Sequence, residues 1–421
     1  MTRLIRVLVL GLLAQWTVAT AAEAEAKADP APAGGSSEGL VYEAIDKQEV
    51  ITGNATKPAG KKPPVEGWWE SKICTGEYCV YTNRKINKGR GLALVTKFGD
   101  YQKGENKIED PSLFVETEVV DKGIGITAAK TVRRGKRLMS VTPVLLVHQD
   151  LFKDVKKRID RKRVLEAAVA YLPDATREVF DRQRIQGLAP GDGRKKRSVE
   201  EIILGAPFEI SLPFDMHAEQ HSRHYAHYPE VAVVQHDCRP NVAWHIDPNF
   251  SLKLNVARRA QTGEELTMAY VDPFWPRYKR QAWVQKHRGL GKPCSCQVCS
   301  LKEEKLKESD ARVNEIQDLL AKLRNHDSKD ITEEMIDHFL ALVDKEKLST
   351  KLGEAYEYAA LNYNYLGLDV KAKKYADLAV QAGIIEDGPE ANNVVANRVF
   401  ASDIKGHYSY RFTLKRRQNK N

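Results

Sequence analysis

Apolar residues recur along this chain with two different periods, and the changes of period divide it into regions. From Gly91 to Val147 short β-rich runs alternate with turn residues: Leu92 to Thr96, Phe114 to Val120, Gly125 to Ala129 and Arg137 to Val147. Gly99-Asp100, Asp121-Lys122-Gly123 and Arg133-Arg134-Gly135 separate them, which predicts small sheets. Between 151 and 200 the period becomes helical. Val164, Leu165, Ala168, Val169 and Leu172 share one face there, and Gly187 to Gly193 reads as a loop. β-type runs return at Ile202 to Leu212, Val231 to Val234, Asn241 to Ile246, Ser251 to Val256 and Glu265 to Tyr270, until Pro273 and Pro276 break the pattern. From Leu301 onward helices are expected at Glu315 to Arg324, at Thr332 to Lys345 and in a pair joined at Leu366-Gly367. The fold class is therefore α+β: small sheets with a helical insert, followed by a helical C-terminal region.

Composition sharpens the limits. With 42% apolar and 29% charged residues, the 421-residue chain has the mix of a soluble folded protein, and at about 100–200 residues per domain it holds two or three. Met1 to Ala22 carries Arg3 and Arg6, the apolar run Val7 to Leu13 and the small-residue pattern Ala19-Thr20-Ala21, which reads as a secretory signal peptide. Residues 23–66 are rich in Ala, Pro, Gly, Lys and Glu and are expected to be a flexible leader. The chain is thus expected in the secretory pathway or outside the cell, with cytoplasm or nucleus the alternative if the leader is not used. The sequons at Asn54 and Asn249 agree with that route. No other segment has the ~20 apolar residues of a membrane span, so no membrane contact is expected after cleavage.

The net charge of +9 sits mostly in the insert, where fourteen basic residues face eight acidic ones between 151 and 200. No aromatic residues interleave with it as on a stacking platform, so nucleic acid is not an expected partner. Arg194 to Arg197 reads as a solvated basic loop, with a processing site and an import patch as alternatives. His221, His224, Tyr225, His227 and Tyr228 have the composition of a metal site but read as a solvated or partly buried loop.

Six cysteines are too few for a disulfide scaffold. Cys74 and Cys79, at C-x4-C spacing, either pair in a small closed loop or stay as two buried thiols. Cys294, Cys296 and Cys299 are too close together to pair without strain, whereas a tetrahedral Zn2+ at about 2.3 Å from sulfur accepts their spacing and needs one further ligand. Cys238, in His236-Asp237-Cys238-Arg239-Pro240-Asn241, is the candidate fourth ligand. A set of disulfides is the alternative.

Four blocks in order resemble the SET-domain protein-lysine methyltransferases. They are Gly123-Ile124-Gly125 leading into Thr127 to Lys136, the block 236–241, Gly263-Glu264-Glu265-Leu266 through Tyr270, and the cysteine segment. The C-x-C-x-x-C spacing, the variable insert and the helical tail are similar to the SET-and-MYND branch and its fungal relatives, although two remaining cysteines cannot build a MYND finger. The resemblance implies a SET domain over 67–275 with its helical insert at 151–200, a zinc-binding post-SET segment at 276–300 and a helical domain at 301–421. Ala355, Tyr358, Ala359 and Tyr363, followed by Ala372, Tyr375, Ala376 and Ala379, look like one tetratricopeptide unit within that domain.

Function and site residues follow as implications of the same resemblance. S-adenosyl-L-methionine is the expected cofactor, bound by Gly123, Ile124, Gly125, Gln235 and His236, with Phe208 lining its pocket and Trp283 either covering it or serving only in packing. Tyr270 matches the active-site tyrosine. Cys238, Cys294, Cys296 and Cys299 match the zinc ligands. The expected partner is a protein or peptide presenting a lysine. Two positions depart from the family pattern: Val233 stands where an arginine is usual, and Gln235 where an asparagine is usual. A second function therefore competes with catalysis, that of a catalytically silent SET scaffold acting as a secreted, zinc-stabilised binding module.

Overall fold

The computed structural model describes residues 67–97, 104–119, 123–185, 196–205, 208–212, 222–287 and 293–418. The expected signal peptide, leader, Asn54, the loop 187–193, Arg194, Lys195 and His221 lie outside them.

The described chain opens with the hairpin β1 (Trp69–Thr75) and β2 (Tyr78–Asn83), in which Cys74 and Cys79 face each other and form a disulfide. A single turn, α1 (Ile86–Gly89), leads to β3 (Leu92–Thr96), followed by β4 (Lys107–Ile108), β5 (Phe114–Val119), β6 (Gly123–Ala128), β7 (Arg137–Val141) and β8 (Leu145–His148). The insert then forms α2 (Asp150–Asp154), α3 (Arg158–Ala170), α4 (Asp174–Ile185) and α5 (Val199–Gly205). Strands resume as β9 (Phe208–Leu212), β10 (Ser222–His227), β11 (Val242–Ile246), β12 (Leu252–Val256) and β13 (Glu265–Leu266). α6 (Arg277–His287) precedes the cysteine segment. The tail is α7 (Glu303–Arg324), α8 (Glu333–Lys345), α9 (Leu352–Tyr365), α10 (Asp369–Glu386), α11 (Asn392–Ser402) and α12 (Phe412–Gln418).

Among the described residues three sheets result, with strand orders β1-β2-β3-β8-β10-β9, β11-β12-β7-β4 and β13-β6-β5. The period of two along β3 explains how they share a core. Leu92 and Leu94 enter the core between the sheets, while Ala93 and Val95 enter a second core against the insert, so the whole strand is buried. The insert meets that second core with Val164, Leu165, Ala168, Val169 and Leu172, the residues whose spacing predicts a helical face. Arg161 then ties α3 to Glu200 of α5 by a two-armed ion pair at 2.8 and 3.1 Å.

Four expectations are corrected. The run Arg137 to Val147 is two strands in different sheets, broken next to Pro143, which cannot donate to a ladder. The run Ile202 to Leu212 begins as helix α5, because Ser198 and Glu201 form a capping box: the Ser198 N–H donates to the Glu201 carboxylate at 2.8 Å and the Glu201 N–H to Ser198 Oγ at 3.2 Å. Val231 to Val234 forms turns, with Val231 and Val234 filling the core without pairing in a sheet. The described members of the Tyr and His cluster lie on strand β10 and just after it, rather than in a solvated or partly buried loop. His224 is buried with Nε2 at 2.9 Å from Thr96 Oγ1, and burial pushes His227 down to about 3, helped by Arg90 and Arg197.

In the tail α9 and α10 make an antiparallel pair with α7 and α8 against it, around Ile316, Phe339, Ala355, Ala359, Tyr363 and Ala376. No helix among the described residues is long and apolar enough to cross a membrane.

Candidate functional site

The site is built where β6 meets the loop that follows β10. Gly123 has φ of +80°, in the left-handed region that glycine enters without steric cost. Gly125 is required for a different reason: a Cβ there would come within 2.7 Å of Val119 Cγ2 and 3.3 Å of Gln235 Cγ. That space lets Gln235 lie on the strand and donate from Nε2 to the Ile124 carbonyl at 2.7 Å. Gly123, Ile124, Gly125 and Gln235 thus lie together. The crowding at Gly125 comes from protein atoms, where the resemblance implies the cofactor.

The segments 235–242 and 266–270 then run side by side. The Met268 N–H donates to the Gln235 carbonyl at 3.0 Å, and the Asp237 N–H to the Met268 carbonyl at 3.1 Å. Asn241, buried at the crossing, donates from Nδ2 to the Glu265 carbonyl at 2.8 Å and to the Glu264 carboxylate at 3.0 Å, while its Oδ1 accepts the Thr267 N–H at 2.8 Å. Burial alone would raise the Glu264 carboxyl, but hydrogen bonds from Gln261, Asn241 and Arg258 hold it below its ordinary value.

This crossing carries His236 and Tyr270, whose rings stack with centroids 5.2 Å apart. His236 Nδ1 accepts the Tyr270 N–H at 3.2 Å, so the neutral ring keeps its proton on Nε2, which sits 3.4 Å from Cys238 Sγ. The Tyr270 hydroxyl donates to the Val234 carbonyl. Behind it the Trp244 indole N–H donates to the Ala269 carbonyl at 3.1 Å. Phe208 packs edge-on against Trp244 and Tyr228, buried in the core behind the Tyr270 segment. Val233, at the position of the usual arginine, packs on the same core and offers no charged donor.

From Cys238 the site continues into sulfur. The Sγ atoms of Cys238, Cys294, Cys296 and Cys299 all lie within 4.8 Å of one another, and all four are free thiols, so the disulfide alternative for this segment does not hold. Cys238 and Cys299 are 3.7 Å apart, close to the ~3.8 Å edge of a tetrahedron whose centre lies ~2.3 Å from each sulfur. Hydrogen bonds from Cys294 and Cys296 push Cys238 down to about 5, while Cys294 is pushed up by its bonds to the other sulfurs. Such a cluster cannot ionise fully without a cation at its centre. The donor set suits Zn2+. α6 fixes the segment from the other side, since Gln281 accepts the Cys294 N–H at 2.6 Å and donates to the Cys294 carbonyl at 3.3 Å. Trp283 is half-buried on the same helix.

Two further attachments reach the helical tail. Arg239 bonds Glu346 at 2.6 Å, and Lys351 lies 3.5 Å from Asp272, two residues beyond Tyr270. Phe274 is already part of the tail's own core. Sequence patterns give no hint of Gln281, Arg239 or Glu346, because each works through one long-range contact between polar residues. Asn241 was legible as a motif residue, though not as the clamp of the crossing.

Comparison with known protein families finds a SET domain over residues 123–271, which begins at the glycine pair and ends just past Tyr270. SET domains are generally protein-lysine methyltransferases and use S-adenosylmethionine. No curated protein matches the chain.

Proposed function

We propose that the chain transfers a methyl group from S-adenosylmethionine to the side-chain amine of a lysine in a protein or peptide. The observation that carries this is the meeting, at one crossing, of the Gly123 to Gly125 strand, Gln235, His236 and Tyr270. When bound, S-adenosylmethionine supplies a methyl on a positively charged sulfur, open to in-line attack by a neutral amine. The protein's task is then chiefly positioning. Because the Tyr270 proton is given to the Val234 carbonyl, the phenolic oxygen meets a substrate as an acceptor, suited to an amine N–H. The His236 ring stacked on it and the Trp244 bond to Ala269 keep that oxygen in place. Gly123, Gly125, Gln235 and His236 offer backbone and amide groups to the cofactor's polar ends, with Trp283 as its cover. Cys238, Cys294, Cys296 and Cys299 would hold Zn2+, which would join the post-SET segment to the 236–241 loop. The helical tail and the spacing of its α9 and α10 support a tetratricopeptide-like substrate platform, as in the SET-and-MYND branch.

A silent scaffold is the second reading, and one observation favours it: the Gln235 amide nitrogen already bonds Ile124 inside the protein. Calorimetric titration of the zinc-loaded chain with S-adenosylhomocysteine separates the two. Saturable 1:1 binding, followed by methyl transfer from labelled donor to a lysine peptide library, supports the enzyme. Absence of both heat and thermal shift leaves the scaffold. The signal-like N-terminus and the Cys74 to Cys79 disulfide support residence in the secretory pathway. N-terminal sequencing of the mature secreted chain tests that placement: a chain beginning at Met1 and retained in cells would refute it.

A further inference from the structure

Resting on the methyltransferase reading of the site, we propose that Glu346 is a positioning residue, which holds the loop bearing His236 and Cys238 in register from the helical tail. Glu346 follows α8 and its side chain is 3% exposed. Its Oε2 accepts from Arg239 Nη2 at 2.6 Å and Ser309 Oγ at 2.8 Å, and its Oε1 accepts from Arg312 Nε at 2.5 Å. One carboxylate therefore binds α7, α8 and the candidate loop together.

The loop end of this clamp grips backbone. Arg239 donates its other arm, Nη1, to the carbonyl of Cys238 at 2.7 Å, and its own N–H goes to Asp237 Oδ1 at 2.7 Å. A guanidinium is a rigid planar fork, so the position of the Glu346 carboxylate fixes that of the Cys238 peptide. From there contacts run without a gap into the site: Cys238 Sγ to His236 Nε2 at 3.4 Å, and His236 Nδ1 to the Tyr270 N–H at 3.2 Å. Removing the negative charge would leave Arg239 and Arg312 facing one another with no acid between them, and the Arg239 fork would lose its anchor.

The test uses the full chain, Glu346→Gln, and Leu320→Ala as a control that weakens the tail core on α7 without touching the clamp. Zinc affinity is measured by competition with a chelator, alkylation of Cys238 in metal-free protein by peptide mass spectrometry, and S-adenosylhomocysteine affinity by calorimetry. Compared at equal distance below each variant's melting temperature, Glu346→Gln should bind zinc about 10- to 100-fold more weakly, as loss of a group behind a metal ligand does. It should also label faster at Cys238 and bind S-adenosylhomocysteine more weakly, while Leu320→Ala changes none of these. Equal loosening by Leu320→Ala, or unchanged zinc and labelling in Glu346→Gln, would overturn the proposal. If the glutamine variant does not fold, Arg239→Lys carries the same test, because lysine keeps the charge but cannot hold both partners. Should wild type bind no S-adenosylhomocysteine, the methyltransferase reading fails, while the zinc and labelling measurements still judge Glu346.

Discussion

The hydroxyl of Tyr270 has one proton, and the Val234 carbonyl takes it. Phenylalanine at this position removes the acceptor oxygen but keeps the ring on His236, so the effects on turnover and on folding separate. Tyr270→Phe is expected to slow methyl transfer about 100-fold, the scale of losing one oriented hydrogen-bonding group in an active site. Its stability cost is about 1–2 kcal/mol, for the Val234 carbonyl left without that donor. Turnover at the wild-type rate, measured with labelled donor, would remove Tyr270 from the mechanism. Gly125→Ala tests a contact of another kind. Its Cβ would press on Val119 Cγ2, a branched side chain with little freedom, and on Gln235. A loss of about 1–3 kcal/mol in urea unfolding is expected, together with weaker S-adenosylhomocysteine binding as Gln235 is displaced. A variant as stable as the parent would mean that β5 can yield.

At the scale of elements, what could be read in advance depended on whether the signal was local. The helical face of α3 and the pairing of α9 with α10 follow from side chains a few positions apart; the structure buries those of α3 and the small residues and Tyr363 of the pair, with Tyr358 and Tyr375 half-buried against them. The glycine strand, the 236–241 block and Tyr270 were legible as a set because their order along the chain resembles the motifs of the SET-domain family. Where expectation failed, a second local rule or a distant partner decided. Ser198 and Glu201 were in plain view as a capping box, yet the apolar run Ile202-Ile203-Leu204 suggested a strand. Val231 and Val234 have strand-like composition but are buried in turns that lead the chain to the crossing. Glu346 looks like any acid near a helix end until the fold brings Arg239 to it. The first hairpin offers a check at this scale. Its disulfide closes a short loop, so replacing both cysteines, Cys74→Ala with Cys79→Ala, should cost about 2 kcal/mol by the chain-entropy relation. Because β1 packs against α3, the loss should also appear as faster amide exchange in that helix. Unchanged urea unfolding would show that sheet pairing alone holds the hairpin.

Over the whole molecule, sheets and tail share structure at several points besides the Glu346 clamp. Asn255 on β12 donates to the Ile385 carbonyl at 2.8 Å, and the ring of His245 packs over Gly388 at the end of α10. Between these contacts and the start of α9 lies Glu386, buried, accepting the N–H groups of Leu352 at 3.1 Å and Gly353 at 3.0 Å. Burial pushes its carboxyl up to about 8, and the neighbouring Asp387 adds to this; the Gly353 N–H, Lys351 and Arg134 act in the opposite direction. Glu357 is likewise pushed up to about 7 by burial, against a hydrogen bond from Asn397. In the unfolded chain both carboxyls titrate near ~4.3, so the folded state holds their protons more tightly. Their contribution to stability is full below that value and disappears as pH rises through about 7 and then about 8. Glu346 and Glu354 are shifted the other way, so their contributions are already complete above the unfolded value and do not change across this window. Cys238 and His227 are shifted down and act in the opposite direction, alike in both variants, so the test is the difference: wild type should lose melting temperature relative to Glu386→Gln, which carries no titrating proton there, as pH rises towards about 8. Thermal unfolding followed by circular dichroism at closely spaced pH values checks this. A difference between the two variants that stays constant with pH would mean that Glu386 is ionised where it sits, with Lys351 and Arg134 outweighing its burial.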